Sequence, residues 1–249
     1  MTAPSAGHDV AMSQGEQAAA AWRDAAFAQS WANNDAFRDL LQFPRLMAAA
    51  IVAGDNPEPA TIVDIGAGPG AVLAVFLGQF PSARGVWSDA SMPMLELAKE
   101  NLAPFGDRVE YRLADMTDLD PAGLPANADV ITTSRAAHHL DRDGLHAFYA
   151  AAAARLAPAG WLVNLDHIGP ASQAGPPAAA GPDDVWDQRL RAARKKFGVS
   201  PDASPKHHHN YPLTSVADHL DAFAAAGITD VEVPWRAFYT CLFMGRTPS

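Results

Sequence analysis

Acids and glycines recur at spaced points along this chain, and histidines follow them. The densest group is Val63-Asp64-Ile65-Gly66-Ala67-Gly68-Pro69-Gly70. Glycines let a backbone turn sharply and approach a ligand without side-chain collision. A helix starting there points free N–H groups and the positive end of its dipole at whatever is bound. Turn and helix together read as a nucleotide-cofactor site. Asp89 and Asp115 are carboxylates able to accept hydrogen bonds from such a cofactor. His138 and His167 are side chains able to move a proton near neutral pH.

The elements that must position these residues are strands. Thr61 to Ile65 is a short, β-branched apolar run, as a buried parallel strand should be, and an apolar helix from Ala71 to Phe80 follows the glycines. Arg84 to Asp89 is a second strand ending in an acid, with a helix near Met92 for which Ser91 is the better cap. Arg108 to Leu113 is a third, followed by Ala114-Asp115-Met116. Ala128 to Ser134 is a fourth and Ala159 to Asp166 a fifth. Ligands of open α/β sheets gather at the carboxyl ends of the strands, where these acids fall. Thr229 to Trp235 and Ala237 to Gly245 read as two closing strands, and Ser215 to Ala226 as the helix before them.

The glycine turn fits two cofactors. As Gly66-x-Gly68-x-x-Ala71 it satisfies a loose dinucleotide fingerprint, with Asp89 near the distance of a ribose-binding acid. As Asp64-x-Gly66-x-Gly68-x-Gly70 it resembles motif I of class I S-adenosylmethionine-dependent methyltransferases. Asp64 suits a cationic cofactor and would repel a pyrophosphate, and Pro69 lacks an N–H that a pyrophosphate would use. Ser134-Arg135-Ala136-Ala137-His138-His139-Leu140 also resembles that family's region after the fourth strand, where apolar-His-His-Leu is frequent. Arg135 departs from the commoner apolar residue, leaving open whether it serves cofactor, acceptor or a surface ion pair.

The resemblance covers roughly Ala60 to Asp166 and resumes at the C-terminus. It implies an α/β, Rossmann-like, doubly wound, seven-stranded and mostly parallel sheet. A C-terminal antiparallel hairpin, an N-terminal helical lid and an insert before the last helix would complete it. It implies S-adenosylmethionine as cofactor. Asp64, Gly66, Ala67, Gly68 and Gly70 would hold the methionine end, Asp89 with Ala90 the ribose, and Asp115 with Met116 the adenine; Ser134 and Arg135 would border the cofactor. The activity implied is in-line transfer of a methyl group to oxygen or nitrogen, with carbon behind them, of a small organic acceptor. His138 would be the first choice of base and His167 the second. Alternatively His138 or His139 begins the next helix and His167 orients Asp166. Rival readings are an NAD(P)-dependent oxidoreductase, a non-catalytic cofactor binder, and an enzyme using the sulfonium as a bound cation.

The net charge of −10 argues against a nucleic-acid partner, since such binders carry a basic face. No apolar run reaches membrane-spanning length, and Met1 to Gln17 lacks the pattern of a secretion signal, so a cytoplasmic monomer or homodimer is expected. The lone Cys241 reads as a buried small hydrophobe. One domain is expected: 1–58 a helical lid, 59–168 the cofactor core, 169–213 an acceptor-pocket insert, and 214–249 the last helix and hairpin. Trp22, Phe27 and Trp31 mark a helix from Gln14 to Asn33, and Phe37, Leu40, Leu41, Phe43 and Leu46 another from Asp35 to Ala53, kinked or split at Pro44. They either pack on the sheet or cover the site.

In the insert, Gly169 to Pro182 reads as a loop and Asp183 to Phe197 as a helix. Its Arg189, Arg191, Arg194, Lys195 and Lys196 form either a solvated face or an anion site. His207-His208-His209 are loop histidines or pocket walls; no metal ligand set is assigned. Tyr211, Trp235 and Tyr239 are further wall candidates.

Overall fold

The computed structural model describes residues 21–32, 35–120, 123–169, 185–196 and 214–249. Its sheet comprises β1 (Thr61–Ile65), β2 (Arg84–Asp89), β3 (Val109–Leu113), β4 (Ala128–Ser134), β5 (Leu156–His167), β6 (Thr229–Ala237) and β7 (Thr240–Arg246). The strand order is β3-β2-β1-β4-β5-β7-β6. Strands β1 to β5 pair in parallel, and β7 enters antiparallel between β5 and β6. The expected seven-stranded, doubly wound sheet with its terminal hairpin is therefore present. Because chain order reverses direction across β1 and β4, the crevice of the sheet opens at their carboxyl ends.

The helices are α1 (Ala25–Ala32), α2 (Asp35–Asp55), α3 (Ala71–Gln79), α4 (Met92–Leu102), α5 (Arg142–Ala153), α6 (Val185–Lys196) and α7 (Val216–Ala225), with short 3₁₀ turns at Ala103–Arg108 and Ala137–His139. Successive strand residues face opposite sides of a sheet. Ile62 accordingly joins Leu41, Leu73, Phe76 and Trp87 on the α2–α4 side. Val63 and Ile65 join Ile131, Tyr149, Phe223 and Phe243 on the α5–α7 side.

The chain departs from its sequence pattern at three places. The run expected as one helix to Asn33 breaks at Trp22–Asp24, because Asp24 Oδ1 accepts from the N–H groups of Ala26 and Phe27 and starts α1 afresh. Helix α2 continues through Pro44. Burial of Leu41, Ala48, Ala49 and Val52 holds it across the hydrogen bond that proline cannot make. Strand β5 begins at Leu156, earlier than Ala159. Tertiary bonds rather than propensity carry those residues: Arg155 O accepts from Ala128 N–H, and the N–H of Ala159 donates to Pro248 O.

A buried polar chain ties α5, β5 and α7 together. Asn164 Nδ2 donates to Tyr149 Oη at 2.6 Å, which lies 2.7 Å from His219 Nδ1, while Thr214 Oγ1 is 3.0 Å from His219 Nε2. His219 also stacks on Phe243 with ring centroids 4.5 Å apart. Burial lowers its pKa to about 4. The unfolded chain takes up this proton below the ordinary value of 6.5, whereas the folded protein resists it down to about 4. Stability therefore falls as pH drops across that window, by an amount of order 3 kcal/mol. We expect the urea-unfolding advantage of wild type over His219→Gln, measured at pH 7.5, to shrink progressively toward pH 4.5. A pH-independent difference would contradict the neutral, buried imidazole.

Candidate functional site

Beyond β1 the backbone enters left-handed conformations at Gly66 (φ 63°), Gly68 (φ 52°) and Gly70 (φ 79°), which glycine adopts without strain. Gly66 is also required sterically, since a Cβ there would lie 2.6 Å from that of Ala136. Three further bonds fix the turn. Trp87 Nε1 donates to Gly68 O at 2.8 Å, Gly68 N–H to Asp89 Oδ2 at 2.9 Å, and Asn101 Nδ2 to Pro69 O at 3.0 Å. The turn borders a cavity of about 770 Å³ at the carboxyl ends of β1 to β4.

Asp89 ends β2 and serves two neighbours: Oδ2 accepts from Gly68, and Oδ1 accepts from Ser91 N–H at 2.8 Å. Burial raises its pKa, against the N–H groups of Ser91 and Gly68 that favour the carboxylate. Ser91 Oγ caps α4 by accepting from Met94 N–H, and donates to Trp22 O, joining the N-terminal segment to the cavity rim. Asp115, just past β3, is exposed on the wall, its Oδ1 accepting from the N–H and hydroxyl of Thr117. Ala67, Gly68, Ala90, Met116, Ser134 and Arg135 line the same cavity, as does Gly66.

Of the residues expected to hold the cofactor or act as the base, four lie outside that lining. Gly70 is packed against Leu102. Asp64 lies one residue before the end of β1, so the pleat turns it onto the α2–α3 face and not out of the strand end. It is buried, Thr132 Oγ1 donates to its Oδ1 at 2.7 Å, and Oδ2 has no hydrogen-bond partner among the described residues. Burial pushes its pKa up to about 7, against Thr132, the Leu73 N–H and the nearby Arg45.

His138 is 2% exposed and turned inward, its Nδ1–H donating to Asp166 Oδ1 at 2.6 Å and its backbone N–H to Asp166 Oδ2. His167 is likewise buried; Arg135 Nε donates to its Nε2 at 3.4 Å, and Thr240 Oγ1 lies 3.3 Å from its Nδ1. Burial raises the Asp166 carboxyl. His139, by contrast, lines the cavity, with its ring centroid 4.1 Å from that of His138. The short 3₁₀ turn at Ala137–His139 sets which of the two neighbours faces outward. Asp141 then caps α5 by accepting from Gly144 N–H.

The N-terminal segment closes the remaining wall with Trp22, Arg23, Trp31 and Arg45. Trp22 and Trp31 meet edge to face, ring centroids 5.4 Å apart, and the Arg135 guanidinium carbon sits 4.3 Å over the Trp31 ring. Arg45 was not singled out by sequence reasoning. Its signal is a cation on the face of α2 that also carries the buried Leu41, Ala48, Ala49 and Val52. Trp235 packs against the core, and Tyr239 O accepts from Ile168 N–H; neither belongs to the lining described. His207, His208, His209 and Tyr211 lie outside the described residues, as do the side chains of Arg191 and Arg194, whereas Arg189, Lys195 and Lys196 are exposed on α6. Among the described residues no group of three or more His, Cys, Asp or Glu could hold a metal ion. Nor is any helix there long and apolar enough to cross a membrane.

Sheet order, glycine turn and strand-end acids together make a Rossmann-like fold with a nucleotide-cofactor cleft at the strand ends. Residues 62–160 match the methyltransferase domain family. A curated relative, the release factor glutamine methyltransferase of Cereibacter sphaeroides, is 34% identical over 100 residues, which are 39% of this chain and 34% of that protein. Among solved structures, human N-acetylserotonin methyltransferase in complex with SAM superposes with a TM-score of 0.64 at 14% identity, covering 96% of this chain and 61% of that one. An O-methyltransferase family protein from Burkholderia thailandensis gives 0.61 at 20% identity, covering 87% and 60%. The chain thus spans about a third of its curated relative and about three-fifths of these solved structures, and at such identities the likeness is one of fold.

Proposed function

We propose that this protein transfers a methyl group from S-adenosylmethionine to an oxygen or nitrogen of a small organic acceptor. The observation that carries this reading is the cavity itself, with Asp89 and Asp115 at the ends of β2 and β3 on one side and His139 past β4 on the other. The residues fit the cofactor. Gly66 and Gly68 line the cavity and, lacking side chains, leave room for close approach of a ligand to the turn. Asp89 accepts from the ribose hydroxyls, and Asp115 with Met116 addresses the adenine. When bound, the sulfonium supplies an electrophilic methyl group. The protein's task is alignment and exclusion of water, from which most of the rate derives.

Trp22 and Trp31 act as the cover, and His139 takes the proton released by the acceptor hydroxyl or ammonium. His138, clamped by Asp166, fixes the position of its neighbour. A cytoplasmic location, a monomeric or dimeric state and the absence of a nucleic-acid partner belong to the same proposal, the last supported by the acidic net charge.

Titration calorimetry against S-adenosylmethionine, S-adenosylhomocysteine, NAD and NADP tests the reading. Micromolar binding of the first two alone is the expected result. Binding of a nicotinamide dinucleotide instead would overturn it and favour an oxidoreductase.

A further inference from the structure

Charge is divided across the cavity. Asp89, Glu100 and Asp115 come from β2, α4 and the residues after β3, which form one flank of the sheet. Arg45 comes from α2, beside Val163 and Leu165, and Arg135 from the turn after β4, on the other side of β1; Arg23 joins the lining next to Trp22, whose carbonyl Ser91 ties to the rim. The acidic flank suits the ribose and adenine of the cofactor, and the cofactor's own carboxylate takes one cation, which leaves at least one to the acceptor.

Arg135 is the cation most firmly held there. It is 9% exposed, with its backbone left-handed at φ 54° and its N–H donating to Leu165 O at 3.0 Å. Glycine would adopt this conformation without strain, so an arginine here keeps its side chain on the cavity wall at a conformational cost. Its Nε is directed at His167 and its face lies on Trp31, which fixes the plane of the guanidinium fork. Such a fork matches carboxylate and phosphate oxygens bidentately, and the ring surfaces beside it favour a flat, planar anion such as a carboxylate. Beside it, Trp22, Trp31 and His139 offer ring surfaces to an aromatic body. The whole protein carries a charge of −10, so a negatively charged acceptor needs a local concentration of cations to enter.

We propose that the acceptor is an aromatic carboxylate, its anionic head held by Arg135 and its ring lodged against the Trp22–Trp31 wall beside His139. This rests on the methyltransferase reading for its account of which flank remains open, but the anion site itself is tested without the cofactor.

The experiment is ligand-detected NMR and tryptophan-fluorescence titration of the full chain, with and without S-adenosylhomocysteine. The probes are benzoate and naphthoate, each paired with its neutral carboxamide. Each carboxylate should bind roughly tenfold or more tightly than its amide, the usual margin for charge-assisted hydrogen bonds. The margin should shrink with added salt, vanish in Arg135→Gln and persist in part in Arg135→Lys. Equal binding of acid and amide by wild type, or failure of both carboxylates to bind, overturns the proposal without need of any variant. An undiminished margin in a folded Arg135→Gln protein overturns the role of Arg135. If S-adenosylhomocysteine fails to bind while the margin appears, the methyltransferase reading fails and the anion site stands.

Discussion

Replacing Asp89 by alanine is expected to weaken S-adenosylhomocysteine binding by about 100-fold or more, since the two charge-assisted hydrogen bonds proposed for it from the ribose would be lost at once. The same substitution removes the acceptor for Gly68 and Ser91 N–H, so the glycine turn loosens and the unfolding midpoint falls as well. Asp89→Asn separates the two effects. The amide oxygen still accepts from one of the Gly68 and Ser91 N–H groups while its NH2 faces the other, so stability should recover only in part while affinity stays below wild type. Burial raises the carboxyl's pKa. Wild-type affinity should therefore decline as pH falls and the carboxylate takes up its proton, and Asp89→Asn should flatten that decline. Calorimetric constants unchanged by Asp89→Ala would remove Asp89 from the cofactor site.

The second large effect concerns His139. On whichever acceptor is turned over, His139→Ala should lower kcat by about 10²- to 10³-fold, the usual range for a lost general base. S-adenosylhomocysteine affinity should change little. The deficit should shrink at alkaline pH, where an acceptor hydroxyl ionises unaided. His138→Ala should behave differently: it strips Asp166 of its Nδ1–H donor in a buried setting and should appear first as lost stability. If instead His138→Ala abolishes turnover in a stable protein while His139→Ala is active, the roles assigned to the two rings are reversed.

Much of this architecture is legible before any coordinates. A buried parallel strand, a glycine turn and an acid at a strand end are local patterns, and β1, β2 and β4 lie where their residues indicate. What escapes is decided by tertiary geometry. Whether Asp64 reaches the cavity depends on strand parity relative to the last β1 residue, and the pleat sends it beneath α3. Which of His138 and His139 faces outward depends on a single 3₁₀ turn, and adjacent histidines look alike in sequence. Arg45 is hidden by its helix, because an isolated cation in an apolar run reads as incidental until the opposite wall is known. The break at Asp24 was readable in principle, as aspartate is a strong N-cap, but the spacing of the neighbouring aromatics favoured one continuous helix.

Cys241 sits in the β5–β7 ladder opposite Asp166, fully buried, and burial pushes its thiol up to about 11. It is the chain's single cysteine. At neutral pH it therefore offers alkylating reagents neither a thiolate nor a path of approach. The native protein is in effect blank to maleimide chemistry. A cysteine placed at Phe43, exposed on α2, would be the one reactive thiol, so that a dye could be installed beside the cavity without first deleting a native residue.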